Sequence, residues 1–345
     1  MKKRVLHLLN TNKFSGAENV VCTIIKNMSD KYDMIYCSPN GTISKVLENE
    51  NITYYPLKKL SYSEVKKAIK TLKPDIIHAH DNRATVIASL FANKCKIISH
   101  IHGNNKIMNS LNLKTLLFNI ISKKIDKFIW VSDSSFDDYY FKNKLKSKST
   151  ILYNVIDKNK IYEKSNLYKC NETYDLIFLG RLGYPKNPER LIEIIKHLKN
   201  KRKNISVAIV GDGIDREKIE HLIEMFNLKN NTKLYGFQNN PYPILKQSKI
   251  LIMTSIYEGT PMCALEAQSL GKPIVATPVD GLKKIIINEK NGFLNDSNKK
   301  MCDFIIDILN NEKKYQNLSN NSVNFFNKYN NLNKYCQTIK VTYEE

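Results

Sequence analysis

The stretch Ile250-Leu-Ile-Met-Thr-Ser255-Ile-Tyr-Glu258-Gly-Thr-Pro-Met-Cys-Ala-Leu-Glu266-Ala-Gln-Ser-Leu-Gly271-Lys-Pro-Ile-Val-Ala-Thr277 reads as strand, loop, helix, turn and strand in succession. Residues 250–255 and 273–277 are short apolar runs of the kind buried on both faces of a parallel sheet. Between them Thr260 is a good N-cap, Pro261 suits the first helical position and Gly271 suits the C-terminal stop. Glu266 then falls in the second helical turn and Glu258 in the loop before it. Such loops lie at the carboxyl ends of the strands, where ligands of open parallel sheets bind. Carboxylates there accept hydrogen bonds from hydroxyl groups, and free N–H groups at a helix start favour an anion. The bland alternative is a capped helix with an incidental glutamate on each side.

The same alternation extends outward. Strand-like runs at 5–9, 34–38, 76–80, 96–102 and 127–132 are separated by helical patterns such as 17–28, 64–72 and 84–93. Beyond 165 the rhythm restarts with runs at 176–180, 206–210 and 233–235 and helical patterns at 188–201 and 215–226. This predicts an α/β protein of βαβ units, folded as two doubly wound parallel-sheet domains. A chain of 345 residues is too long for one ordinary core. The expected domains are 1–165 and 166–324, with the linker in the polar stretch 157–173. A helix over about 325–345 is a candidate to pack back on the first domain.

The seven cysteines are scattered without a Cys-x-x-Cys pair, which fits a reducing compartment. The basic start carries too short an apolar run for a secretory leader, and no stretch has the roughly 20 apolar residues of a membrane span. A cytoplasmic location is expected. The formal charge of +21 implies an anionic partner, and residues 1–165 hold 28 of the 54 Lys/Arg against 14 of the 33 Asp/Glu. Nucleic acid is disfavoured as that partner, because the lysines are dispersed over helix faces instead of forming a stripe with interleaved aromatics. The stretch 113–128 sets leucines and isoleucines beside Lys114, Lys123, Lys124 and Lys127, as a core-facing helix or one lying on a membrane would.

Two further loops offer phosphate-binding chemistry. Asn10-Thr-Asn-Lys-Phe-Ser-Gly16-Ala-Glu18 follows the first strand, and Gly16 before a helix lets backbone approach an anion or simply begins a structural loop. Gly180-Arg-Leu-Gly-Tyr-Pro-Lys-Asn187 sets Arg181 and Lys186 around a turn, either converging on one phosphate group or solvated separately. Neither loop is a Gly-x-Gly-x-x-Gly fingerprint, and no Walker-type Gly-Lys-Ser/Thr occurs.

Taken together these motifs resemble family 4 glycosyltransferases, retaining enzymes of the GT-B fold with two Rossmann-like domains facing a central cleft. The family pattern of Glu-Gly-x-Pro, a Glu-Ala eight residues after the first Glu, and Gly-x-Pro is met by Glu258-Gly-Thr-Pro, Glu266-Ala and Gly271-Lys-Pro. Gly180-Arg181…Lys186-Asn187, Gly236-Phe237 before Pro241, Gly16-Ala17-Glu18 and Asn154-Val-Ile-Asp157 match its other motifs. The resemblance covers most of the chain and is strongest over 174–295. It implies that Arg181 and Lys186 hold the donor diphosphate, Glu266 the ribose hydroxyls and Glu258 the transferred sugar, with the amides after Gly259 assisting. Phe237, Thr260 and Leu265 complete the implied donor site, and backbone at Gly16 would close on the diphosphate.

The implied activity moves a hexose or hexosamine, the UDP-linked donor being expected, to a glycan or polyprenyl-diphosphate-linked acceptor in capsule, exopolysaccharide or other polysaccharide assembly. No metal or other cofactor is expected, since the resemblance makes the departing phosphate assist deprotonation of the acceptor. Peripheral attachment to the anionic inner face of the membrane suits the basic first half. A sugar-nucleotide 2-epimerase of the same architecture is the rival reading.

His78/His80 and His100/His102 end two strands, each pair spaced to one face. With Asp81 the only carboxylate beside them, they suit a polar cleft or a substrate role better than a metal. His102, in His102-Gly-Asn-Asn, sits where the family often carries a histidine near the transferred sugar.

Overall fold

The structure, a computed structural model, describes residues 2–103 and 106–345; Asn104 and Asn105 of the His102 segment lie outside the described residues. Two compact units form, one of Met1–Val155 with Leu332–Glu345 and one of Ile156–Asn331.

The first unit holds seven parallel strands. They are β1 (Arg4–Leu8), β2 (Asp33–Pro39), β3 (Tyr54–Leu57), β4 (Ile76–Ala79), β5 (Lys96–Ile101), β6 (Lys127–Trp130) and β7 (Ser149–Ile151). Their order is β3-β2-β1-β4-β5-β6-β7. Alternation sends Leu6, Leu8, Ile77, Ala79 and Ile97 into one apolar core with Val65, Ala68, Ala84 and Phe118. The opposite parity carries histidines, and the register sets His7 directly beside His78. Over that face Leu332–Glu344 packs on Gly16–Met28, and Tyr343 reaches His78.

The second unit has β8 (Tyr174–Leu179), β9 (Val207–Val210), β10 (Thr232–Gly236), β11 (Ser248–Met253), β12 (Ile274–Ala276) and β13 (Gly292–Leu294). Their order is β10-β9-β8-β11-β12-β13, again all parallel. Pro188–Lys201 shows why its helices dock: Leu191, Ile192, Ile194, Ile195 and Leu198 recur at helical spacing and are fully buried. Each such side chain contributes roughly 1.5–3 kcal/mol by leaving water.

Three local expectations change. The polar stretch read as a linker contains a helix, Lys158–Ser165, because Asp157 caps it by accepting from the amides of Asn159 and Lys160. The helix bearing Glu266 is Met262–Ser269, and Pro261 rather than Thr260 is its N-cap, since ψ of 118° keeps Pro261 extended. Gly271, at φ +68°, ends that helix as expected, a conformation that glycine adopts without a Cβ penalty. Finally, the helix Leu113–Ile121 buries Thr115 and Phe118 but turns Leu113, Leu116, Leu117 and Ile120 outward, so a simple core-facing reading fails.

Candidate functional site

In the second unit the strand order reverses between β8 and β11, so the loops after these two strands flank the topological switch point. The loop after β8 carries Lys186 and the loop after β11 carries Glu258; their side chains meet, Lys186 Nζ donating to Glu258 Oε1 at 2.6 Å. Ser255 Oγ donates to the same oxygen at 2.6 Å. Thr254 Oγ1 bonds the carbonyls of Lys186 and Asn187 at 3.0 and 2.9 Å, pinning the two loops together. The side chains of Lys186 and Glu258 keep only 20% and 10% of their exposure. Burial acts against the Lys186 charge, but the Glu258 carboxylate outweighs it and raises the ammonium above its ordinary value. Lys186 is therefore a firmly charged cation held at a strand end.

Glu266 lies beneath, buried in the second turn of its helix, and accepts from Tyr242 Oη at 3.1 Å. Burial pushes its carboxyl up to about 7, against the pull of Tyr242 and of the Lys186 charge. Arg181 and Phe237 are exposed at the ends of β8 and β10, Thr260 is buried beside the loop, and the Leu265 side chain sits in the core.

Ser255, Thr254, Tyr242 and Gly281 were not singled out from the sequence. Gly281 is the tightest of them: a Cβ there would lie 1.4 Å from the Gly259 carbonyl oxygen and 2.8 Å from that of Glu258. It lets the Glu258 loop rest on the segment after β12, and its only signal is an Asp-Gly pair just beyond a strand. Gly211, at φ +139°, plays the same part under Gly180, whose oxygen a Cβ would meet at 1.9 Å.

In the first unit the switch point lies between β1 and β4. Gly16 opens the helix Gly16–Met28, and the Asn10 amide donates to Asp81 Oδ2 at 2.9 Å, tying the loop after β1 to the end of β4. Glu18, buried in the first turn of that helix, accepts from Thr11 and Ser15. The helix start is thus complemented by its own carboxylate.

Beside it five imidazoles form a stack. His78 and His80 lie 4.2 Å apart between ring centroids, as do His100 and His102. His7, which sequence reading did not connect to the others, bonds through Nδ1 to His80 Nε2 at 2.9 Å, and His80 Nδ1 bonds to His102 Nε2 at 2.9 Å. His78 Nδ1 pairs with the Tyr343 hydroxyl at 2.8 Å. Burial lowers His7 and His102 to about 3 and pushes His78, His80 and His100 well below the ordinary value, so all five are neutral at pH 7. Two trios, His7/His78/His80 and His80/His100/His102, set one nitrogen each within 4.8 Å of the others, close enough to hold a metal ion. His80 belongs to both trios, and both its nitrogens are already bonded to imidazoles.

Comparison with known proteins shows the family and the fold. Residues 158–325 match the family model described as Glycosyl transferases group 1, and residues 14–160 that described as Glycosyltransferase Family 4. An Escherichia coli UDP-Gal:alpha-D-GlcNAc-diphosphoundecaprenol alpha-1,3-galactosyltransferase is 24% identical over 337 residues, 86% of this chain and 85% of its own. A Campylobacter jejuni N-acetylgalactosamine-N,N'-diacetylbacillosaminyl-diphospho-undecaprenol 4-alpha-N-acetylgalactosaminyltransferase is 24% identical over 302 residues, covering 81% and 82%. HepE of Anabaena, solved with UDP and glucose, superposes with a TM-score of 0.86 at 18% identity over 99% of both chains. The fold is that of the GT-B glycosyltransferases.

Proposed function

Because the chain belongs to the group 1 glycosyltransferases, whose two family models between them match residues 14–325, we propose that it moves a hexose or hexosamine from a UDP-linked donor to a lipid-diphosphate-linked glycan, with retention, in O-antigen or other polysaccharide assembly. The observation that carries the reading is the Lys186–Glu258 pair at the switch point of the second unit. Breaking a sugar–phosphate bond builds negative charge on the leaving diphosphate, and a preorganised, mostly buried ammonium stabilises it without reorganisation. Arg181 assists, Glu258 accepts from the sugar hydroxyls and Glu266 from the ribose. Two relatives named for diphospho-undecaprenol acceptors, and a fold neighbour solved with UDP, support the substrate classes. The charge is met by side chains of the chain itself, so no cofactor is invoked.

A product assay with radiolabelled UDP-sugars tests this. Labelled lipid-linked glycan should form only when donor and acceptor are both present, with the rate unchanged by EDTA. Conversion of the donor sugar without acceptor would instead establish an epimerase.

Glu266 makes donor binding depend on pH. A ribose holder accepts best as a carboxylate, and this carboxyl ionises at about 7. Raising the pH from 6 to 8 should therefore tighten UDP binding by about tenfold at most, since one ionisation changes affinity by no more than its own protonation range. Calorimetric titration of UDP checks it, and Glu266→Gln should bind weakly with a flat profile.

The first unit presents an acceptor-side surface of matching chemistry. Ile107, Leu111, Leu113, Leu116, Leu117 and Ile120 are between 42% and 72% exposed. Lys114, Lys123 and Lys124 are exposed beside them, and from Asn82 to Ile125 the sequence holds no carboxylate. An apolar patch rimmed by cations suits the headgroup region of an anionic bilayer, and among the described residues no helix is long and apolar enough to cross one. The protein should float with anionic but not zwitterionic liposomes at low salt, as a peripheral protein on the inner face would. Leu113→Glu with Ile120→Glu should abolish flotation and leave the melting temperature unchanged.

A further inference from the structure

We propose that His7, His78 and His80 form a buried site for one divalent cation of the zinc, copper or nickel class, a structural ion that fastens β1 to β4 beneath the helix Leu332–Glu344. Such an ion takes no part in sugar transfer. Its site was hidden from the sequence, because His7 joins the other two only through the β1–β4 register.

The three side chains are at most 2% exposed, and each offers one ring nitrogen within 4.8 Å of the other two. Ligands at zinc–nitrogen distance stand about 3.3 Å apart around a tetrahedral ion, so ring shifts of about 1 Å complete the set. His7 Nδ1 and His80 Nε2 are 2.9 Å apart, the spacing of two ligands at about a right angle on such an ion. Metal binding needs neutral imidazole, and burial keeps all three uncharged at pH 7.

A metal-bound imidazole donates through its far nitrogen to a second partner, which fixes the ring. Two of the three have that partner in place. His78 Nδ1 pairs with Tyr343 Oη at 2.8 Å, and His80 Nδ1 with His102 Nε2 at 2.9 Å. His78 Nε2, the nitrogen left over, is buried with no hydrogen-bond partner among the described residues. On binding, the proton shared by His7 and His80 moves to the far side of the ring that carries it.

Charge favours a cation here. Glu18 is buried on the helix Gly16–Met28, and Asp81 directly follows His80. Glu18 accepts from Thr11 and Ser15 and Asp81 from the amides of Asn10 and Ala84, and neither has a cationic partner among the described residues. The donor set selects the ion: an all-imidazole trio suits zinc, copper or nickel, whereas magnesium and calcium take oxygen ligands. Because Tyr343 closes over His78, the ion enters before the last helix docks and leaves only on unfolding. EDTA applied to the folded enzyme therefore leaves both the ion and the transfer rate unchanged.

Metal analysis of the full chain, purified from zinc-supplemented cells and dialysed against EDTA, should find one such ion per chain. Unfolding in urea with EDTA should release it. Refolding with cobalt(II) should then give the visible absorption of a nitrogen-ligated ion. Refolding with zinc should raise the urea midpoint read at the buried Trp130 by about 1 M or more over refolding without metal. His78→Leu should lose the ion, the cobalt absorption and the shift, while His100→Leu, outside the trio, should keep all three. A chain that carries no metal and whose midpoint neither zinc nor cobalt moves overturns the proposal. So does an ion retained by a folded His78→Leu protein, or one lost from a folded His100→Leu protein alone. Should His78→Leu not fold, the metal count and cobalt spectrum of the parent still decide.

Discussion

Lys186→Ala is expected to lower kcat/KM for sugar transfer by about 10²–10³, the range found when a preorganised transition-state donor is removed, and to weaken UDP binding as well. Two effects combine. The leaving diphosphate loses the cation held at the switch point, and Glu258, only 10% exposed, is left without the ammonium 2.6 Å away. A carboxylate that loses its partner in such a place is costly in itself. Glu258→Gln should separate the roles, because it keeps the shape of the loop and the Ser255 contact while giving up the charged acceptor for sugar hydroxyls. Transfer should fall by a similar factor while UDP, which lacks the transferred sugar, binds within about threefold of the parent, a difference under about 1 kcal/mol. Near-normal transfer by both variants would remove the pair from the mechanism. The measurements are initial rates with donor and acceptor, and UDP titrations of each protein.

The second large effect is on stability in acid. His7, His78, His80, His100 and His102 are neutral in the folded chain, held well below their ordinary value by burial. In the unfolded chain each titrates near 6.5. Below that pH the unfolded state binds more protons, so stability rises with pH and is lost as pH falls from about 7 toward the folded values near 3. From pH 7.5 to 5.5 each histidine costs on the order of 1 kcal/mol, several kcal/mol for the five together. A domain's entire stability is typically about 5–15 kcal/mol. The first unit should therefore unfold near pH 5 in buffer alone. Trp130, the only tryptophan and buried in that unit, makes the transition separately visible by fluorescence during urea melts. The urea midpoint should fall by a few molar over this range, given a slope of about 2 kcal/mol per molar. A pH slope no steeper than one histidine allows would mean that these rings are solvated.

Much of this was legible before any coordinates. Short Val/Ile runs between amphipathic stretches announced two parallel sheets, because a strand buried on both faces has no polar side to mask it. Lys186 and Glu258 were legible as candidate ligand-binding residues because each follows a strand by a few positions, and both loops end in a helix start. Their direct contact was not, since it depends on β8 and β11 being neighbours, which no local pattern states. His78/His80 and His100/His102 showed their alternation, yet His7 stayed hidden because joining it to them requires the β1–β4 register. Gly281 was invisible for a similar reason: its neighbour is a carbonyl more than twenty positions back in the chain. The helix Leu113–Ile121 shows the opposite failure, in which a strongly apolar composition suggested burial that the fold does not supply.

Leu332–Glu345 returns to the first unit after the whole second unit has been threaded, and Tyr343 from it closes over His78. During synthesis the amino-terminal strands therefore leave the ribosome long before their cover does. At the usual elongation rate of about 5–20 residues per second, the interval between Val155 and Leu332 lasts roughly ten seconds or more. Throughout it the histidine face of the sheet stays open, so the unit whose strands are made earlier is finished after the unit that follows it. A stop codon placed before Tyr343 should cripple the first unit while leaving Ile156–Asn331 intact.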